Sequence, residues 1–370
     1  MRLAHRRQTS ALAWAFVAMG LVLGCFSLLA LRSSYAHNPP PLPSLSNVAD
    51  VALPRYGTTI VTCFFDLAKM GQKTKHPASF YLQTGAKGTL GIASPMVIFT
   101  DSPEAVAKVR NKPHLSKIIP VSITDFDAYK LYFDQITNLF PRDWEGVTKK
   151  YSNWLFTVYH AKPELMARAA RLDYFGTDKY LYMDVGAVRN WGGINASDYV
   201  DKQFPNPERE WLIGREDRVQ MQSVAASHST CEEHVRWVDA EAPELATSPT
   251  SKSPDVIKVR AVSLNWWIAG GLFSGNKRAL EMYNDVYLRE LGRYLAANLT
   301  TYSLIDQFMM GAIACTSDLV EVVRPPLPCC SKRGNRKWFF MLMYYKDATF
   351  PQTPYSDVEL AAKGKPPNLT

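Results

Sequence analysis

Several things this chain lacks narrow the field before any motif is considered. It has no Gly-X-Ser-X-Gly elbow, no P-loop, no Gly-X-Gly-X-X-Gly and no His-Glu-X-X-His. Common hydrolase, NTPase, dinucleotide and metalloprotease chemistries therefore have no support. Helix-turn-helix, zinc-finger and RNA-binding signatures are missing too, and no internal repeat appears. Nucleic acid is thus a poor explanation of the +8 net charge, because positive charge without a docking element binds without purpose. Histidine is scarce, 7 in 370 residues, and none follows His234. The sequence therefore offers no late histidine as a metal ligand. His228-X-X-Cys231-X-X-His234 has a tempting zinc spacing but no fourth ligand.

What is present begins with one long apolar run. Ala11 to Leu31 carries no charge and spans roughly 30 Å as a helix, the thickness of bilayer hydrocarbon. Arg2, Arg6 and Arg7 precede it, so the positive-inside rule keeps residues 1–10 cytosolic and sends the rest across. A cleaved signal peptide is the rival; its apolar core is usually shorter, about 7–15 residues. The expected protein is single-pass type II, membrane-anchored by one helix in the Golgi or ER, with the main domain luminal. Sequons at Asn195, Asn298 and Asn368 agree with that orientation. Of the 6 cysteines, only Cys25 falls in the run. The other five lie in an oxidising space, where Cys63, inside an apolar strand, is expected to stay a buried free thiol.

Residues 32–57 are rich in proline and suit an extended stem. From Thr58 to about residue 350 the pattern changes to short β-branched and aromatic runs alternating with helical periodicity. Thr58–Phe65, Met96–Thr100, Ile118–Val121 and Tyr180–Met183 read as buried strands. Ser102-Pro103 opens a helix, Thr124 with Asp127 resembles a capping box, and Pro163–Leu172 reads as helical. Such alternation predicts a single α/β domain with a Rossmann-like, mixed but mostly parallel sheet flanked by helices. Ligands of such sheets bind beyond the carboxyl ends of the strands, where Asp66, Asp101 and Asp184 all stand; for Asp101 a capping role is favoured. Farther on, Asp239–Asp255 reads as a mobile insertion. Trp266–Phe273 reads as strand around a Gly270-Gly271 turn, and Asn276 caps a helix with Leu280, Tyr283, Tyr287, Leu291 and Leu295 on one face. Ser303–Cys315 is a further helix, Trp338–Tyr345 closes the fold, and residues 351–370 form a tail.

Three stretches carry candidate chemistry. Tyr180-Leu181-Tyr182-Met183-Asp184-Val185-Gly186 delivers one carboxylate at a strand end, with glycine close behind. A nucleotide-sugar transferase of GT-A type places a carboxylate there to hold a divalent cation, Mn or Mg, on the diphosphate, or to orient the sugar. The usual pattern is Asp-X-Asp, and here its second member is Gly186. Next come Gly270, Gly271 and Asp306-Gln307, a platform for donor sugar or acceptor; Ser303-X-X-Asp306 is equally a capping-box pattern. Last, Lys332, Arg333, Arg336 and Lys337 form a basic loop, either solvated or facing a departing diphosphate.

TIVTCFFD (Thr59–Asp66), SPMVIFTD (Ser94–Asp101), YHAKP (Tyr159–Pro163), TDKYLYMDVGAVR (Thr177–Arg189) and AGGLFSGNK (Ala269–Lys277) occur in that order. With Asp306-Gln307 and Trp338-Phe339-Phe340, they make the chain resemble the HtrL/YibB family, which looks like GT-A-type nucleotide-diphospho-sugar transferases. The resemblance implies nucleotide-sugar contacts at Thr62, Phe65, Asp66, Asp184 and Gly186, with Lys162 and Arg189 near the phosphates. It also implies a sugar or acceptor role for Gly270, Gly271, Asp306 and Gln307, a nucleotide-sugar donor, and a glycan or glycoprotein acceptor. The competing expectation is a non-catalytic luminal domain that keeps the fold.

Overall fold

In a computed structural model the described residues are 56–72, 77–142, 152–190, 194–224, 235–241, 256–262, 268–296, 305–323 and 340–346. They fall in one compact unit, Tyr56–Thr370. The apolar run at 11–31, the stem, the sequons Asn298 and Asn368, the His228–His234 cluster, the basic loop and the tail lie outside them. No helix among the described residues is long and apolar enough to cross a membrane.

The four strands expected in the first half form, with ends shifted by a residue or two. They are β1 (Thr58–Phe64), β2 (Met96–Thr100), β3 (Ser116–Pro120) and β4 (Lys179–Met183). Their apolar residues alternate between two cores, because neighbouring side chains on a strand point to opposite faces. Val61, Cys63, Tyr180 and Tyr182 enter one core; Ile60, Phe64, Leu181 and Met183 enter the other. Burial on both faces is what makes these strands continuous apolar runs rather than alternating ones.

The second half adds β5 (Val219–Ser223), β6 (Val235–Glu241), β7 (Val256–Val262), β8 (Ile268–Asn276) and β9 (Val320–Val323). One seven-stranded sheet runs β3-β2-β1-β4-β8-β5-β9, and β6-β7 make a separate antiparallel pair. All neighbours in the large sheet are parallel except β8, which is antiparallel to both β4 and β5. The sheet is therefore mixed and mostly parallel, as expected. Its strand order turns at β1: the chain steps outward to β2 and β3, then returns to place β4 on the other side. Sheets of this kind bind ligands at such a reversal, here beyond the carboxyl ends of β1 and β4.

Eight α-helices flank the sheet among the described residues: α1 (Ala78–Thr84), α2 (Lys87–Leu90), α3 (Pro103–Arg110), α4 (Asp127–Leu139), α5 (Asn153–Leu172), α6 (Lys277–Ala296), α7 (Asp306–Ala314) and α8 (Phe340–Lys346). The α5 helix packs between α4 and α6. It is longer than Pro163–Leu172. Ser152 caps its start by accepting from the Leu155 amide at 3.2 Å, and Pro163 is tolerated in its interior. Tertiary packing of a mostly buried helix outweighs the one hydrogen bond that proline removes.

Other expectations also shift. The capping box is Ser122 with Asp125, not Thr124 with Asp127, and it closes a short 3-10 turn ahead of α4. The Asp127 amide donates to Glu164 on α5 instead. Asn276 does cap α6, accepting from the Ala279 amide at 2.9 Å. Asp239–Glu241 belong to β6 rather than to an insertion; residues 242–255 are outside the described set. The Gly270-Gly271 pair is no turn, since β8 runs unbroken through it.

Candidate active site

The glycine pair sits where two carboxylates press against a strand. A Cβ added at Gly271 would stand 2.8 Å from Asp184 Oδ2, and one at Gly270 would stand 2.7 Å from Asp306 Oδ2. Real Cβ atoms essentially never approach so closely. Glycine is required here for side-chain room, not for an unusual φ.

Asp184 follows β4 at its carboxyl end, held by its own amide donating to the Gly271 carbonyl at 2.9 Å. Asp306 is the first residue of α7, with Ile305 at the N-cap; Ser303 of the Ser303-X-X-Asp306 pattern lies outside the described residues. Both carboxylates converge on one ammonium. Lys162 Nζ, reaching up from α5, lies 3.1 Å from Asp184 Oδ1 and 2.8 Å from Asp306 Oδ2. It also donates to the Gly270 carbonyl at 3.0 Å. An ammonium has three donors, and all three are engaged. The resemblance implies a place near the phosphates for Lys162; in the structure its ammonium is 3% exposed and lies against the two acids.

Burial separates the two acids. The Asp306 side chain is 1% exposed and Lys162 3%, whereas Asp184 is 43% exposed. Burial alone would push the Lys162 ammonium down; Asp184 and then Asp306 outweigh it and hold the ammonium above the usual lysine range. For Asp306 burial wins over the attraction of Lys162, so its carboxyl is pushed up to about 6. One cation shared by two anions leaves the more deeply buried one short of compensation.

A hydroxyl completes the cluster. Tyr182 stands two residues before Asp184 on the same face of the strand, and its hydroxyl donates to Asp184 Oδ1 at 3.1 Å. Cys63 Sγ lies 3.5 Å from that hydroxyl. Cys63 is a buried free thiol, as expected, and burial pushes it up to about 11, which keeps it unreactive. The contacts that Lys162 and Tyr182 make with Asp184 both end on Oδ1. Its Oδ2 takes no hydrogen bond among the described residues and packs close to Gly271; the side chain as a whole is 43% exposed.

The other candidates are scattered around this core. Gly186 lies under the hydroxyl of Tyr81 from α1, which fills the space a side chain there would need. Burial, then the charge of Asp184, raises that hydroxyl's pKa, while Arg189 opposes. The Tyr81 ring stacks on Phe64 with centroids 6.2 Å apart. Nothing in the sequence marks Tyr81, because it comes from a helix distant in the chain. Tyr182 is legible from its i, i+2 spacing to Asp184. Gln307 is half-buried, and its Oε1 takes no hydrogen bond among the described residues.

Thr62 is fully buried in β1, beneath the crevice rather than in it. Phe65 packs edge-on against Phe126. Asp66 caps a 3-10 turn by accepting from the Ala68 amide at 3.2 Å, and its own amide donates to Asp101 Oδ1 at 3.0 Å. Asp101 is a bracket between two strand ends and caps no helix; the N-cap of α3 is Ser102. Asn195 is exposed and accepts from the Ser197 amide at 3.2 Å.

A divalent cation does not fit these side chains. Position 186 supplies no carboxylate, Asp306 is covered, and no group of three His, Cys, Asp or Glu suited to a metal occurs among the described residues. An ion on Asp184 would face Lys162 across about 4 Å. With an effective dielectric of about 20, a +2 and a +1 charge at that distance repel by roughly 8 kcal/mol before screening by water at the open side.

The fold and site together define a mixed α/β domain with a lysine-bridged pair of carboxylates at the carboxyl edge of its sheet. Neither a protein-family model nor a curated protein sequence matches the chain. Among solved structures, mouse xyloside xylosyltransferase 1 in its apo form is similar at 12% identity, with 72% of this chain and 84% of that chain covered and a TM-score of 0.34.

Proposed function

We propose that this protein is a GT-A-like glycosyltransferase of the HtrL/YibB type. It moves a sugar from a nucleotide-sugar donor to a glycan or glycoprotein acceptor. The observation that carries the reading is Asp184: a 43% exposed carboxylate at the end of β4, beside the reversal of strand order at β1. Sheets of this kind bind ligands there. Lys162 and Tyr182 hold Oδ1 and Gly271 lies against Oδ2, so the half-exposed carboxylate is fixed in place. Fixing a charged group before the substrate arrives is how such sites lower a barrier, through positioning and preset electrostatics. Half-buried Arg189, whose charge acts on Tyr81, offers positive charge.

The setting we propose is a type II membrane protein with this domain in the Golgi or ER lumen. Its supports are the apolar run at 11–31 with arginines before it, exposed Asn195 in a sequon, and the disulfide-bonded state of Cys315. The competing reading, a non-catalytic luminal domain, draws on Gly186 standing where a second carboxylate would be expected.

Thermal shift on the full chain in detergent, with UDP, GDP or CDP, separates the two. A nucleotide at about 100 times its dissociation constant stabilises by roughly 2.7 kcal/mol. The transferase reading predicts a shift in the wild type that Asp184→Ala abolishes. Folded protein that ignores every nucleotide would instead support the non-catalytic reading.

A further inference from the structure

The resemblance brings a divalent cation to Asp184, and the side chains disagree. A metal held by carboxylates needs anionic oxygens facing a common point. Here the point between Asp184 and Asp306 is already taken by Lys162 Nζ, 3.1 Å from one and 2.8 Å from the other. The Tyr182 hydroxyl donates to the same Asp184 oxygen, and a donor proton there competes with a metal for the lone pairs. Gly186, under Tyr81, removes the second acid of the usual pair.

We infer that Lys162 occupies the electrostatic place of the divalent cation, so that the crevice binds its ligand without metal. The lysine does not touch that ligand; its three donors face the acids and the Gly270 carbonyl. It makes one unit of positive charge permanent between two carboxylates and leaves one net negative charge, with Asp184 the exposed member of the pair. An exposed carboxylate suits hydroxyl groups, which donate, better than it suits a diphosphate, which repels it. Asp184 therefore faces the sugar part of a donor, and the phosphates lie toward Arg189. This last assignment rests on the proposed function; the replacement of the metal by Lys162 does not.

The experiment is a manganese titration of the full chain, stripped with EDTA, followed by the electron paramagnetic resonance of free Mn²⁺. Wild type is expected to remove no stoichiometric Mn²⁺, with or without UDP. Lys162→Met exposes two acids to each other and is expected to gain a site at least tenfold tighter. Because that variant can fail to fold, Lys162→Met combined with Asp306→Asn is the second arm: it removes both charges of the buried pair, and Asp184 alone gains measurable Mn²⁺ affinity over wild type. Stoichiometric Mn²⁺ binding by wild type that Asp184→Ala abolishes overturns the inference, as does a folded Lys162 variant with no gain. A UDP thermal shift equal in EDTA and in Mn²⁺ supports it, and a shift seen only with Mn²⁺ overturns it. No shift with any nucleotide defeats the proposed function and leaves the manganese arms to decide the metal question.

Discussion

The rim around Asp184 and the interior around Asp306 hold the same residue type on the same lysine, yet they do different work. The Asp184 side chain is 43% exposed and that of Asp306 1%. The rim acid can exchange solvent for a ligand at modest cost. The interior acid cannot, and its contribution is to fix the charge of Lys162. A site that must be both stable and reactive divides those demands between a covered and an open partner.

The strongest way to break this division is to remove what both regions share. Lys162→Met leaves two acids with no cation, and loss of one member of a buried pair costs about 3–5 kcal/mol. Chemical denaturation should show at least that loss. Asp306→Ala comes next, because Lys162 keeps Asp184 and the Gly270 carbonyl. The expected loss is about 3 kcal/mol, the low end for a broken buried pair, while Asp184→Ala should cost under about 1 kcal/mol, as exposed ion pairs do. Equal costs at the two positions would erase the comparison. Gly270→Ala puts a methyl against Asp306 and Gln307 and should cost about 1–3 kcal/mol, as overpacking does.

The remaining effect is on pH. Folding raises the Asp306 carboxyl from 3.8 to about 6, so between those values the folded chain binds more protons than the unfolded one. Stability then falls as pH rises through that window and flattens above it. Asp306→Asn should remove that slope in a series of denaturation curves from about pH 4 to about pH 7, whereas Asp184→Asn should leave it. A slope unchanged in Asp306→Asn would mean another group carries it.

Legibility in the sequence follows the same geography. The strands β1 to β4 are readable because each is a run of β-branched and aromatic residues bounded by turn signals. Asp184 is readable because it closes such a run, and Tyr182 stands two residues before it. The glycine pair is visible but reads as a turn, since sequence marks glycine without saying whether φ or space requires it. Lys162 points toward phosphate in the sequence because a lysine in a motif gives no hint that acids from a strand end and another helix already surround it. Strands β5 and β9 escape a reading by pattern: they are short, and Gln220, Gln222 and Glu321 interrupt them with polar residues. Gln220 and Glu321 bond to each other and to Tyr345 and Arg215, while Gln222 accepts from the Met341 amide across the fold.

Periodicity and propensity are local properties, so they were enough to specify the α/β alternation, the buried parallel strands and an acid at the end of β4. That Lys162 lies under both acids, and that one acid is open and the other closed, emerged from the packing alone. Those facts depend on burial and on which distant elements meet, and no local pattern of residues encodes either.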